Sequence, residues 1–194
     1  HDGQIIYSGE LAFEVEGSTR SLLKSERLVL NLMQRMSAIA TLSNRFHTEV
    51  ADLPVTLLDT RKTTPLNRYF EKWAVKLGGC ENYRFGLFDR FMIKDNHIEA
   101  CGSITNAIDA VHSYMNMHHL EHLGITVEVK NLVEIEEVLL RGGVHQIMMD
   151  NFERPLLREG VAMINKQFKT EASGGVSLET VRKIALTGVD YIYI

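Results

Sequence analysis

From Pro54 onward, short apolar runs recur along the chain, each followed by a polar residue and then a segment of helical periodicity. The runs close at Arg61, Lys94, Glu128, Asp150, Ser173 and the C-terminus, at spacings of 33, 34, 22, 23 and 21 residues. Those spacings suit βα units, in which parallel strands are joined by crossover helices. The intervening stripes agree: Leu66, Phe70, Trp73 and Leu77 repeat at helical spacing, as do Ile104, Ile108, Val111 and Met115. Six parallel strands alternating with five helices are expected. An open doubly wound sheet and an α/β barrel both satisfy the pattern, and both place their site at the carboxyl ends of the strands.

That edge should hold Arg61-Lys62, Lys94-Asp95-Asn96-His97, Glu128, Asp150-Asn151 and Ser173-Gly174-Gly175, a set rich in both charges. Residues 60–94 contain eight Lys or Arg against three Asp or Glu, in a chain whose formal charge is −4. So local an excess of cations calls for an anionic ligand. Glu128 and Asp150 could hold a hard cation such as Mg²⁺, which takes one or two carboxylates and completes its shell with substrate phosphate oxygens; capping of a helix or turn is the other use of such residues. Ser173-Gly174-Gly175 could cradle a phosphate on its backbone N–H groups ahead of a helix containing Ser177 and Glu179, or could be a plain turn. Thr63 and Thr64 offer hydroxyl caps and Pro65 suits a first turn, so a helix should begin there and stop at Gly78-Gly79.

Ahead of this region, Gln4–Tyr7 and Leu11–Val15 alternate in the manner of two paired strands, and a long helix is expected from about Ser25 to His47, with Arg27 near its start. The expected division is therefore a partial N-terminal α/β portion, 1–47, and a larger α/β unit, 48–194. Both ends of the chain read as cut, since residue 1 is not Met and the last residues form an apolar strand. No apolar run approaches the ~18 residues of a membrane span and no signal segment opens the chain, so a cytoplasmic location is the default. The two cysteines, Cys80 and Cys101, form no paired motif. His118 and His122 are spaced for one helix face, but no Cys or further ligand accompanies them, and a solvated cluster is the expectation.

Taken together, Glu26-Arg27-x-x-Leu30-Asn31, Ser37-x-Ile39-Ala40-Thr41, Thr60-Arg-Lys-Thr-Thr-Pro65, Glu71-Lys72, Asn82-x-Arg84, Ile93-Lys-Asp-Asn-His-Ile98, Asp150-Asn-Phe152 and Glu171-Ala-Ser-Gly-Gly175 resemble the quinolinate phosphoribosyltransferase family nearly end to end. The resemblance implies an α/β N-terminal domain and an incomplete, seven-stranded α/β barrel, with active sites at the interface of a homodimer or of a dimer-based oligomer. It implies transfer of phosphoribose to quinolinate with release of diphosphate and CO₂, Mg²⁺ as cofactor, and no nucleic-acid or membrane partner. It assigns Arg27, Thr60, Arg61, Lys62, Tyr83, Arg84 and Lys94 to substrate anions. Lys62, Glu128 and Asp150 are assigned to the chemistry, the two carboxylates serving the ribose and a Mg²⁺ held largely through substrate and water. Ser173, Gly174 and Gly175 take the 5′-phosphate. Two positions depart from the family pattern: Tyr83 stands where the family usually has His, and Leu66 where it usually has Gly. From Tyr83 a neutral hydrogen bond to a substrate carboxylate is expected, and from Arg27 a place in the neighbouring subunit's site. Two competing readings are a homologous transferase of molybdenum-transport type and a non-catalytic barrel that binds phosphorylated ligands.

Overall fold

The structure is a computed structural model describing residues 1–194. In chain order the elements are α1 (Thr19–Val50), β1 (Thr56–Leu58), α2 (Arg68–Leu77), β2 (Phe91–Ile93), α3 (Asp95–Cys101), α4 (Ile104–His118), β3 (Ile125–Val129), α5 (Leu132–Arg141), β4 (Gln146–Asp150), α6 (Arg154–Ile164), β5 (Lys169–Ser173), α7 (Val181–Ala185) and β6 (Tyr191–Tyr193). All six strands are parallel, in the order β1-β6-β5-β4-β3-β2. β1 and β2 do not pair with each other, so the sheet is an open barrel. The chain thus supplies six of the seven strands that the resemblance implies.

Alternation along the strands separates two cores, because successive side chains point to opposite faces of a sheet. Leu57, Ile93, Val127, Ile147, Met149, Ala172 and Ile192 face outward and join the main hydrophobic cluster beneath the helices. Their neighbours Leu58, Met92 and Met148, with Tyr83, form a small inner cluster flanked by Tyr191 and Tyr193. Burying a single Ile of the outer layer contributes about 1.5–3 kcal/mol, so the stability of the fold lies largely outside the sheet. The inner face is left free for polar groups.

Several expectations change in contact with the structure. Residues 1–18 form no strands; every one is exposed, and Gln4–Tyr7 and Leu11–Val15 lack the neighbouring strand that alternation needs in order to bury a face. The long helix starts six residues early, at Thr19, where the Ser18 hydroxyl accepts from Ser21 N–H. Arg27 therefore lies in its third turn, and the helix runs through the expected boundary at 47/48 to Val50. The helix expected from Pro65 begins at Arg68. Thr63 and Thr64 cannot cap it, because their hydroxyls accept from Arg68 and Arg35, and Leu66 stands at φ 65, outside the helical region. Between β2 and β3 there are two helices, divided at Gly102, whose φ of 83 ends α3 in a left-handed cap.

Candidate active site

The carboxyl ends of the strands surround a cavity of about 710 Å³. It is lined by Thr60, Arg61 and Lys62 after β1, Arg84 from the α2–β2 loop, Lys94 after β2, Glu128 of β3, Asp150 of β4, and Ser173, Gly174 and Gly175 at the end of β5. Ten of the twelve residues named from sequence thus meet in one place. Met92, Met148, Asn151, Val176, Tyr193 and Ile194 complete the wall.

Four cations and two carboxylates share this space. Lys94 Nζ lies 2.6 Å from Glu128 Oε2. Asp150 accepts from the Ser173 hydroxyl at 2.6 Å and from the Asn151 amide at 2.8 Å. Arg84 has no carboxylate partner: it donates to the Arg90 carbonyl at 3.3 Å and faces Met92 Sδ at 3.4 Å, while its buried Nε has no partner at all. Burial and then the neighbouring Arg61 guanidinium hold the Arg84 pKa below its ordinary value. A buried guanidinium short of acceptors beside a second one is a receptor for a bidentate anion.

After β5 the backbone turns sharply. Gly174 stands at φ 87, and a Cβ there would overlap the Asn151 side chain, so glycine is required twice over. Gly175, at φ 61, faces open space. The N–H groups of Gly174, Gly175 and Val176 make no hydrogen bond within the chain, which suits them to an anion's oxygens. The cradle belongs to this turn and not to a helix end, since α7 starts only at Val181.

Two of the twelve are elsewhere. Arg27 is exposed on α1 and does not line the cavity. Tyr83 is buried inside the barrel, and its hydroxyl lies 2.6 Å from Thr126 Oγ1, toward the amino end of β3. Its ring meets Tyr193 edge-on at 5.3 Å, and the Arg90 guanidinium lies over it at 5.5 Å. The expected bond from this phenol to a substrate carboxylate is therefore corrected: Thr126 takes the hydroxyl, and the cavity wall excludes it.

Below the cavity runs a polar network that sequence patterning did not single out. Arg90 donates to Thr126 Oγ1 at 2.8 Å and to Gln146 Oε1 at 2.9 Å, and the Gln146 amide donates to Glu171. Glu171 is fully buried, its Oε1 has no partner, and burial pushes its pKa up to about 8. Thr126, Gln146 and Glu171 fall on the inner positions of β3, β4 and β5, and period-two alternation there is the signal that could have found them; Arg90 immediately precedes β2.

For a divalent cation, Glu128 and Asp150 stand on adjacent strands and open on the same cavity, but no cluster of three His, Cys, Asp or Glu exists. Two carboxylates fit a Mg²⁺ that completes its shell with ligand oxygens and water, and do not make a protein-only cage.

The description "Quinolinate phosphoribosyl transferase, C-terminal domain" matches residues 39–194, and the N-terminal domain of the same family matches residues 1–37. A quinolinate phosphoribosyltransferase [decarboxylating] from Nicotiana tabacum is 44% identical over 99% of the chain. A probable nicotinate-nucleotide pyrophosphorylase [carboxylating] from Bacillus subtilis is 41% identical over 98% of it. The chain spans 58% of the tobacco relative and 64% of the bacterial one. Among solved structures, NadC from Streptococcus pyogenes superposes with a TM-score of 0.92 at 37% identity, covering 100% of the chain and 66% of its own. The nicotinate-nucleotide pyrophosphorylase of Ehrlichia chaffeensis gives 0.82 at 42% identity, over 89% of the chain and 61% of its own. Matches to both domains, in the order the family has them, together with the strand-end cations and glycine turn, make this chain a member of the quinolinate phosphoribosyl transferase family.

Proposed function

We propose that the protein carrying this chain transfers phosphoribose from phosphoribosyl diphosphate to quinolinate, giving nicotinate mononucleotide, diphosphate and CO₂ in the synthesis of NAD. The observation that carries the reading is the gathering of Arg61, Lys62, Arg84 and Lys94 with the Gly174-Gly175 turn around one cavity. Quinolinate brings two carboxylates and its co-substrate several phosphate charges, so the cation surplus matches the ligands.

In the proposed reaction the pyridine nitrogen bonds to the anomeric carbon of ribose as the bond from that carbon to diphosphate breaks, and the electron pair leaves with diphosphate. Arg61, Lys62, Arg84 and Lys94, with Thr60 beside them, hold the anionic groups of both substrates, Arg by forked hydrogen bonds and Lys as point charges. The N–H groups at Gly174 and Gly175, with the Ser173 hydroxyl, hold the 5′-phosphate. Glu128 and Asp150 face the ribose, where their charge favours the positive character that develops as diphosphate departs. They would also hold magnesium, which when bound neutralises charge on the leaving diphosphate. The bond from the ring to the adjacent carboxylate then breaks; the pair left on carbon is stabilised by the positive ring nitrogen, CO₂ leaves, and a proton from solvent completes the ring. The protein's part is to orient and to neutralise.

The reading extends to a dimer in which Arg27 serves the partner's cavity. Its support is that Arg27 is exposed on α1 beside exposed Leu23, Leu28 and Leu30, and away from the chain's own cavity. No helix is long and apolar enough to cross a membrane. The cytoplasm is the proposed compartment, although several plant relatives bear chloroplastic or mitochondrial names.

The test is to supply quinolinate and phosphoribosyl diphosphate with Mg²⁺ and assay CO₂ and nicotinate mononucleotide, with nicotinate in parallel. Product from quinolinate and little turnover of nicotinate is expected, because a site built for two carboxylates leaves charged donors unpaired with one. No product, or equal turnover of both acids, would overturn the reading.

A further inference from the structure

We propose that Asp59, Glu71 and Lys72, none of which lines the cavity, are positioning residues that set the spacing of its cations. The proposal rests on the reading of the cavity as an anion site given above.

The segment 60–64 carries Arg61 and Lys62, and consecutive residues of α2 grip it at both ends. At the first end Lys72, only 2% exposed, places Nζ 2.6 Å from Asp59 Oδ1. The same carboxylate oxygen accepts the Tyr83 N–H at 2.8 Å, and Lys72 Nζ lies 3.5 Å from the Tyr83 carbonyl. With its amide turned to satisfy both neighbours, Asn82 donates to Asp59 Oδ2 at 2.9 Å and to the Lys72 carbonyl at 2.8 Å. Asp59 is thus the knot between the end of β1, from which Arg61 projects, and residues 82–83, which lead directly into Arg84. At the second end Glu71 accepts the Thr64 N–H at 3.1 Å with one oxygen and Arg35 of α1 at 2.8 Å with the other, and Arg35 also reaches the Thr64 hydroxyl at 2.9 Å.

The need for such anchoring is electrostatic. Arg61 and Arg84 line one cavity, two like charges with no carboxylate partner for either, and burial and then Arg61 hold the Arg84 pKa below its ordinary value. Regular secondary structure does not hold either one, since both lie in irregular segments. The backbone bridge of Leu58 to Glu81 brings the two segments side by side, and the pair of anchors behind the cations fixes how far apart they stand. A site assembled in advance spares its ligand the cost of drawing like charges together, and that saving appears in affinity.

Asp59→Asn with Lys72→Met removes both buried charges at once and keeps an oxygen to accept the Tyr83 N–H, which avoids stranding an unpaired ion. Binding of inorganic diphosphate and of quinolinate is measured by calorimetry, and kcat and KM by turnover. We expect both dissociation constants and KM to rise tenfold or more, with kcat at saturation within about threefold of wild type. A variant that merely lost folded protein would lower kcat and leave the constants alone. Unchanged affinities in the folded double variant would overturn the proposal. Should that variant fail to fold, Glu71→Gln, at the more open end, decides it: about threefold weaker diphosphate binding is expected, and wild-type affinity would refute the positioning role. Failure of the wild-type protein to bind quinolinate would sink the functional reading alone, since diphosphate still reports on the spacing of the cations.

Discussion

Lys94 Nζ lies 2.6 Å from Glu128 Oε2, with the lysine side chain 41% exposed and the glutamate 10%. The lysine can therefore swing toward an incoming anion while the carboxylate stays in the wall. Lys94→Ala should lower kcat/KM by 10²-fold or more, the scale on which removing one oriented charge stabiliser acts. The melting temperature should move by only about 3 °C or less, since a partly exposed pair contributes little to folding. Steady-state kinetics and a thermal melt check both halves, and a variant that unfolds would make Lys94 structural.

Tyr83→Phe separates the two roles open to the phenol. Because the hydroxyl pairs with Thr126 and not with the cavity, the variant should lose roughly 0.5–1.5 kcal/mol of stability, the net worth of one neutral hydrogen bond. Quinolinate affinity should be unchanged. Denaturant unfolding alongside calorimetry is the measurement, and weaker quinolinate binding at equal stability would restore Tyr83 to the site.

Glu171 should make stability depend on pH. Its carboxyl is raised from 4.5 to about 8 by burial, so between those values the native chain keeps a proton that the unfolded chain has released. Stability then falls as pH rises through that window, by at most about 1.4 kcal/mol per pH unit, and levels off above it. Glu171→Gln keeps the shape and removes the titration. The difference between wild type and variant, followed by urea unfolding from pH 5 to 8, should carry this slope; parallel curves would show that Glu171 is ionised in the fold.

If Arg27 completes the partner's site, mixing inactive Arg27→Ala with inactive Arg61→Ala protein should restore activity. Mixed dimers have one site with both lesions and one with neither, so free exchange returns about a quarter of wild-type turnover. No recovery after exchange demonstrated by mass spectrometry would exclude a role across the interface.

What sequence made legible follows from locality. Strand ends were readable because an apolar run that stops at a charge marks where a buried chain reaches solvent, and Arg61, Lys94, Glu128, Asp150 and Ser173 all sit at or next to such stops. Lys72 stood in a quoted motif and Asp59 just ahead of another, but their pairing joins residues 13 apart across irregular chain and a helix turn, and no periodicity encodes it. Tyr83 misled because its role was carried over from the family's His, whereas the phenol reaches past the cavity wall to Thr126, a residue 43 positions away that no local pattern links to it. Leu66 read as part of a helical stripe, but it is fully exposed at φ 65. The alternation of residues 4–15 was real, yet alternation specifies a strand only where a second strand is there to receive it.

Five of the barrel's seams are ladders of peptide hydrogen bonds, and such ladders set a barrel's girth through strand number and stagger. The gap from β1 to β2 is different. Leu58 bridges to Glu81, which lies beside β1 in place of a full strand, and Arg84 enters the interior a few residues later. The width of the cavity on that side is thus governed by side chains and one irregular segment, so substitutions there can re-gauge it without breaking any ladder. The chain thus has one adjustable wall in an otherwise rigid vessel.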